Sequence, residues 1–207
     1  RLGEEKGPEI ILVLPLKTGG WLEQHTMDVL RGRILRILRE ADVHDRLRVY
    51  YPQLAADPDV TLMVHAKVMV IDECFVRVGS SNLSNRSLGL DSECDLAVAG
   101  EKGSEVAKTI TSFRNCLLAE HLGVSESEVV QAVAEHHSLI EAIESLRKGD
   151  RTLMPLEGEI EDELDQWVPE ADLIDPEKPI EPEEFLEHFI HPESQRPAYR
   201  HFLKIFI

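Results

Sequence analysis

The sequence predicts an α/β fold, a mixed β-sheet flanked by helices, with a C-terminal helical and acidic, proline-rich extension. Apolar runs rich in β-branched residues alternate with longer segments of helical periodicity, which is typical of layered α/β domains. Two of the apolar runs are joined by a very short connection, which indicates an antiparallel hairpin within the sheet. A chain of 207 residues is long enough for one good core with a small appendage.

The first elements follow from apolar spacing and from prolines. Residues 10–16 form a predicted strand that Pro15 limits, and residues 21–40 have the spacing of a helix. Residues 46–51 form a third predicted element, a strand that Pro52 ends. Residues 60–71 are almost free of charge and rich in β-branched residues. This composition predicts a central strand that is buried on both faces.

The remaining strands and helices complete the prediction. After a turn at Glu73 and Cys74, residues 75–78 form the antiparallel neighbour of the central strand, and residues 94–99 close the sheet. Helices are predicted at residues 105–122 and 138–148 and after Ser125, which forms a capping-box pattern with Glu128. We therefore expect an α/β domain at residues 1–122, a helical extension at 123–150 and an acidic, proline-rich strap or linker at 151–207.

The composition indicates which binding partners and which cellular compartment are favoured. Residues 1–150 hold 24 acids against 17 bases and residues 151–207 hold 15 against 5, which argues against nucleic acid as a main partner. The one basic cluster, with arginines at 31, 33, 36 and 39, has the helical spacing of a solvated face. Three cysteines without a C-x-x-C pair indicate a reducing compartment, so cytoplasmic localisation is the default. No apolar run approaches the roughly 20 residues of a membrane helix.

One motif carries chemistry. His65-Ala66-Lys67 is followed at fixed spacing by Asp72 and then by Gly79-Ser80-Ser81-Asn82. In a strand, His65 and Lys67 would share a face, and a lysine in so apolar a run favours an anionic partner such as phosphate. Gly79 would let the backbone turn and bring Ser80 and Asn82 back toward this pair. An ammonium, an amide and a hydroxyl would then surround a phosphate oxygen without a metal ion.

This spacing resembles the phospholipase D superfamily, whose members carry H-x-K-x4-D followed by G-S-x-N, the HKD motif, usually twice per active unit. The resemblance implies catalytic roles for His65, Lys67, Asn82, Glu93 and Asp72, and substrate binding by Lys67, Ser80 and Asn82. Glu93 would hold the His65 ring in one tautomer. Asp72 belongs to the motif, although its place at a strand end favours a structural role.

The implied activity is metal-independent and needs no cofactor. One histidine attacks phosphorus to form a phosphohistidine and another protonates the departing alcohol, with a phospholipid or another phosphodiester as substrate. The resemblance implies that residues 1–122 are a catalytic half-domain, because the chain contains a single H-x-K. A second half-site must then come from the same longer protein or from a homodimer mate. We favour the longer protein, in which association with a membrane surface stays open. The alternatives are a homodimeric single-motif endonuclease and a noncatalytic half-domain.

Overall fold

The computed structural model describes residues 1–16, 21–54, 57, 60 and 62–157, with only the backbone of residues 21–30. Alternating strands and helices confirm the predicted α/β class. The predicted strap lies outside the described residues from position 158 onward. The described elements, in chain order, are β1 Ile10–Val13, α1 Trp21–Ala41, β2 Leu47–Leu54, β3 Lys67–Ile71, β4 Phe75–Gly79, a π-helical turn Arg86–Leu90, β5 Asp95–Ala99, α2 Glu105–Leu122, α3 Glu126–His136, α4 Leu139–Leu146 and β6 Arg151–Pro155.

Within the described residues the strands form two sheets of three, where the sequence predicted one. The first sheet has the order β1-β2-β6 and the second the order β3-β4-β5. The first is mixed, because β1 runs parallel to β2 whereas β6 runs antiparallel to it. The second is antiparallel throughout, and it includes the predicted hairpin.

The main core lies between the first sheet and α2, α3 and α4. Tyr50 of β2 and Leu153 of β6 are fully buried there against Leu122, Val129 and Ile143 from the three helices. The predicted capping box is confirmed, since Ser125 and Glu128 bond each other's backbone at the start of α3. The division at residues 122 and 150 stays a prediction, although α3, α4 and β6 share this core with β1 and β2.

A second cluster packs α1 on the other part of the first sheet. It contains Leu35 of α1 with Leu47 and Val49 of β2, together with Leu2 and Leu156. Two arginines of the basic cluster donate hydrogen bonds to backbone carbonyl groups. Arg31 donates to the carbonyl of Pro15 at 2.8 Å, and Arg39 donates to the carbonyl of Leu156 at 2.6 Å. These two arginines therefore tie α1 to the ends of β1 and β6.

Pro52 does not end β2, contrary to the prediction. The strand continues to Leu54, and Pro52 pairs with Leu153 of β6. The parallel pairing with β1 stops at Tyr50, so among the described strands only β6 pairs with β2 at Pro52. A residue without an N–H group is tolerated on such an open edge, which is why the proline does not break the sheet.

The prediction of a central, buried strand at residues 60–71 is also wrong. The strand begins at Lys67 and lies at the edge of the second sheet. Cross-strand partners share a face, so one face of this sheet is wholly aliphatic. Leu96 is 74% exposed and Val98 is 50% exposed on that face. The six residues of this aliphatic face are Val68, Val70, Val76, Val78, Leu96 and Val98.

Candidate active site

The motif residues gather at one end of the second sheet because of its register. Lys67 at the start of β3 pairs with Gly79 at the end of β4, and Gly79 pairs with Asp95 at the start of β5. His65 precedes β3, while Ser80 and Asn82 follow β4. Antiparallel pairing thus brings three separate segments to one end of the sheet. Lys67 and Asp95 lie there on the face opposite the aliphatic one.

His65 and Lys67 are in direct contact, as their two-residue spacing predicted. The Lys67 Nζ lies 3.1 Å from His65 Nε2 and donates to the His65 carbonyl oxygen at 2.9 Å. An ammonium group has donors and no acceptor, so in this geometry Nε2 is the acceptor and the ring proton belongs on Nδ1. His65 is exposed and Lys67 is half-buried, which leaves the pair open to an incoming anion.

Glu93 does not bond His65 in the described structure. Its Oε2 accepts a hydrogen bond from the Ser80 hydroxyl at 2.5 Å. That hydroxyl oxygen also accepts from the Cys94 backbone N–H at 2.9 Å, and the Ser80 N–H donates to the Cys94 carbonyl at 3.1 Å. Ser80 therefore donates its single hydroxyl proton to Glu93. The hydroxyl group that we expected to bind a phosphate oxygen is thus not aimed at a substrate.

A second carboxylate, which the sequence reasoning did not single out, holds the next serine. Asp95 accepts hydrogen bonds from the hydroxyl and backbone N–H of Ser81 and from Arg77 at 2.9 Å. The Ser81 hydroxyl, and after it the Arg77 guanidinium, lowers the pKa of the Asp95 carboxyl below its ordinary value. The available signal was the spacing of Glu93 and Asp95, because residues two apart near a strand start share a face.

Gly79 allows Asp95 of β5 to approach the β4 backbone closely, and it does not form the sharp turn that we expected. It is the last residue of β4 and does not adopt a positive φ angle. A β-carbon at position 79 would lie 2.7 Å from the Asp95 Cα, closer than real contacts allow. Glycine is therefore required because β5 and the Asp95 side chain cross directly over it.

Asn82 and Asp72 occupy different ends of the hairpin. Asn82 is exposed at the site, and its side chain makes no hydrogen bond to any residue that the structure describes. Asp72 lies in the β3–β4 turn with a φ of 49°, where the Cys74 N–H donates to the Ile71 carbonyl at 3.0 Å. Five residues of strand separate it from Lys67 by roughly 16 Å. Of the five proposed catalytic residues, the structure leaves Asp72 apart.

Neighbouring residues hold the hairpin and the loop after Asn82. Glu73 in the hairpin turn forms an ion pair at 2.7 Å with Arg114 of α2, which fastens the second sheet to the helices. Arg86 pairs with Asp91 at 2.9 Å across the π-helical turn. In the described part of the chain, no group of three or more His, Cys, Asp or Glu side chains is arranged to hold a metal ion.

The family assignment follows from comparison with known proteins. The family described as "Cardiolipin synthase, PLD-like domain" matches residues 4–117, more than half of the chain. This match covers every motif residue from His65 to Glu93. The chain therefore belongs to this PLD-like family, within the phospholipase D superfamily.

Curated relatives extend the same likeness over a shorter stretch. Phospholipase D gamma 2 and gamma 3 of Arabidopsis thaliana are each 39% identical over 75 residues, or 32% of this chain and 9% of each relative. Phospholipase D zeta 1 of the same plant is 32% identical over 109 residues, or 44% of this chain and 10% of that protein. The chain thus matches about a tenth of the length of these relatives. No solved structure matches it significantly.

Among the described residues, none forms a helix with the length and apolarity needed to cross a membrane.

Proposed function

We propose that this chain supplies one of two half-sites of a metal-independent phosphodiesterase or phosphatidyltransferase that acts on phospholipids through a phosphohistidine. The observation that carries the proposal is the contact between Lys67 Nζ and His65 Nε2 at 3.1 Å, at the sheet end where Asn82 is exposed. Membership of the phospholipase D superfamily itself rests on the family match.

The chemistry follows from what each group can donate or accept. A nonbridging oxygen of the diester replaces Nε2 as the acceptor of the Lys67 ammonium, and the Asn82 amide donates to the same phosphate. Nε2 is then released to act on phosphorus or on the leaving oxygen. Negative charge on the nonbridging phosphate oxygens is stabilised in the transition state by donors that are already in place.

Two histidines share the work in this proposal. One attacks phosphorus and forms a P–N bond as the P–O bond to the alcohol breaks, while the other gives its proton to that alcohol. Water or a second alcohol then gives a proton to that second histidine and attacks phosphorus, and the P–N bond breaks to release the first histidine. His65 is one of the two, and a second HKD half supplies the other.

The aliphatic face of the second sheet supports the need for a second half. A three-stranded sheet requires a covered apolar face for stability, yet Val78, Leu96 and Val98 are at least 44% exposed. The second half comes from the same longer protein or from a second copy of this chain. If copies pair, turnover per chain will rise with protein concentration, whereas turnover by a longer two-motif protein will not.

Head-group release from phosphatidylcholine vesicles, with and without ethanol, tests the proposed activity. We expect free choline in both cases and phosphatidylethanol only with the alcohol, because a covalent intermediate partitions between water and alcohol. Cleavage of double-stranded DNA with intact lipid would favour the endonuclease alternative. No turnover of lipid, bis(p-nitrophenyl) phosphate or DNA, with the second half present, would favour the noncatalytic alternative.

The leaving group distinguishes the two roles open to His65. A p-nitrophenolate departs without protonation, whereas the choline alkoxide needs a proton. If His65 is the general acid, His65→Asn will lose turnover of the choline ester and retain turnover of the p-nitrophenyl ester. If His65 is the nucleophile, the variant will lose both.

A further inference from the structure

The Asp95 carboxylate is the meeting point of three hydrogen-bond donors beside the candidate site. The Ser81 hydroxyl donates to Oδ2, the Ser81 backbone N–H donates to Oδ1 at 3.3 Å, and the Arg77 guanidinium donates to Oδ2 at 2.9 Å. Ser81 is only 6% exposed, so its polar groups depend on Asp95 for their partners. None of these three residues belongs to the H-x-K pair or touches His65 by a hydrogen bond in the described structure.

The local sequence is arranged around this contact. Gly79 lies directly beneath Asp95 in the sheet, and any β-carbon there would collide with the Asp95 backbone. Arg77 is two residues before Gly79 on the same face of β4, from where it reaches the carboxylate. The absence of a side chain at position 79 and the cation at position 77 together allow Asp95 to cross β4 and reach Ser81.

Ser81 lies in the chain between Ser80 and Asn82, the residue that is proposed to contact the phosphate. Ser80 is held by Glu93 and Cys94 on one side, whereas Asn82 carries no such restraint of its own. The hydrogen bonds that Ser81 donates to Asp95 therefore fix the path of the backbone between the end of β4 and Asn82. A displacement of about 1 Å in such a donor can cost roughly 10²-fold in rate.

We propose that Asp95, itself held by Arg77, is a positioning residue that fixes Ser81 and thereby aims the Asn82 amide at the phosphate bound by His65 and Lys67. The proposal rests on the proposed function for its consequence in turnover. The structural part of the proposal, that Asp95 sets the conformation of residues 80–82, does not depend on any activity. The two parts can therefore be tested separately.

The activity test compares Asp95→Asn with the parent protein, assayed with its second half on bis(p-nitrophenyl) phosphate. Asparagine has the shape of aspartate but places an NH₂ group against donors, so at least one of the three bonds is lost. We expect kcat to fall by about 10-fold to 100-fold with a smaller change in KM. Glu105→Gln, which removes a carboxylate paired with Lys108 far from the site, is the matched control and should leave both constants unchanged.

A double-mutant cycle separates positioning from a general loss of structure. If Asp95 acts through Asn82, Asp95→Asn will have little further effect in an Asn82→Ala background, because the aimed group is already gone. Multiplicative losses in the double variant would overturn the proposal. Ser81→Ala, which removes the buried hydroxyl alone, should reproduce part of the kcat loss and serves if Asp95→Asn does not fold.

The structural test uses the isolated chain and needs no substrate. We expect Asp95→Asn to shift the backbone and side-chain amide resonances of Ser81 and Asn82 and to speed hydrogen exchange at Ser81, whereas Glu105→Gln leaves them in place. Unchanged resonances at residues 80–82 would overturn the positioning role even if the enzyme is active. Shifted resonances in a protein that turns over no diester would instead uphold the positioning role and refute the proposed function.

Discussion

The Lys67 ammonium lies 3.1 Å from the Nε2 of His65, so the imidazole that is proposed to act on the diester contacts the cation that is proposed to bind phosphate. The same cation also donates to the His65 carbonyl oxygen, which keeps the two-residue unit folded on itself. An anion that displaces Nε2 from Lys67 would both bind and release the imidazole in one event. Binding and activation are thus linked through one side chain.

Removal of that side chain should impair turnover more than folding. We expect Lys67→Ala to cost about 3 kcal/mol or more in transition-state stabilisation, measured as the change in kcat/KM on a diester. Lys108→Ala is the matched control, because Lys108 is an exposed lysine whose ion pair with Glu105 is remote from the site. A kcat/KM close to that of the parent protein would mean that Lys67 does not contact the phosphate.

Glu93 is predicted to act through Ser80. The Ser80 hydroxyl donates to Glu93 at 2.5 Å, so Glu93→Gln and Ser80→Ala disturb the same bond. In a double-mutant cycle on kcat/KM, we expect these two substitutions to be non-additive by roughly 0.5–3 kcal/mol. Additivity with Ser80→Ala, combined with coupling to His65→Asn, would restore the role in orienting His65 that the resemblance implied.

Asp95 should make part of the stability depend on pH in the acid range. Its folded-state pKa lies below the ordinary value of 3.8, so its stabilising contribution is present above that value and is lost as the pH falls through the lower folded-state pKa. Asp95→Asn should therefore be less stable than the parent at neutral pH, with the difference shrinking below about pH 3.8. Chemical denaturation at a series of pH values measures this, and a difference that does not vary with pH would contradict it.

The hydroxyl of Tyr50 should stabilise the fold without affecting the site. Tyr50 is fully buried and donates to Glu144 of α4 at 2.6 Å, and burial, followed by this hydrogen bond, raises the pKa of the hydroxyl. We expect Tyr50→Phe to lower the free energy of unfolding by about 1–2 kcal/mol, since the acceptor is a carboxylate. Tyr51→Phe, at the next position of β2, should change it by less than about 0.5 kcal/mol. Equal effects of the two substitutions in urea denaturation would remove Tyr50 from this role.

The sequence predicted elements well where the signal is local. The capping box at Ser125, the helix from Glu105 and the hairpin between β3 and β4 depend on neighbouring residues, and all three were predicted. Whether β2 continues through Pro52, and whether the strand of Lys67 lies at a sheet edge, depends on which strands pair with them. Sequence alone does not give those neighbours, so a proline on a half-open strand was interpreted as a strand end.

Candidate site residues were recognised by spacing, and their partners were not. The motif predicted that His65, Lys67 and Asn82 meet at one sheet end, and the structure shows the contact between His65 and Lys67. It could not say that Glu93 would meet Ser80, since that depends on the side-chain direction at the start of β5. Asp95 was missed for the same reason, because its role appears only when Gly79 is seen beneath it.

The most direct test of the account is the effect of His65→Asn on phosphatidylcholine hydrolysis, measured in protein that has its second half-site. If His65 attacks phosphorus or protonates the leaving alcohol, turnover will fall by at least about 10²-fold while the melting temperature stays close to that of the parent. Hydrolysis at the parental rate by His65→Asn would contradict the central claim that this imidazole acts on the phosphodiester.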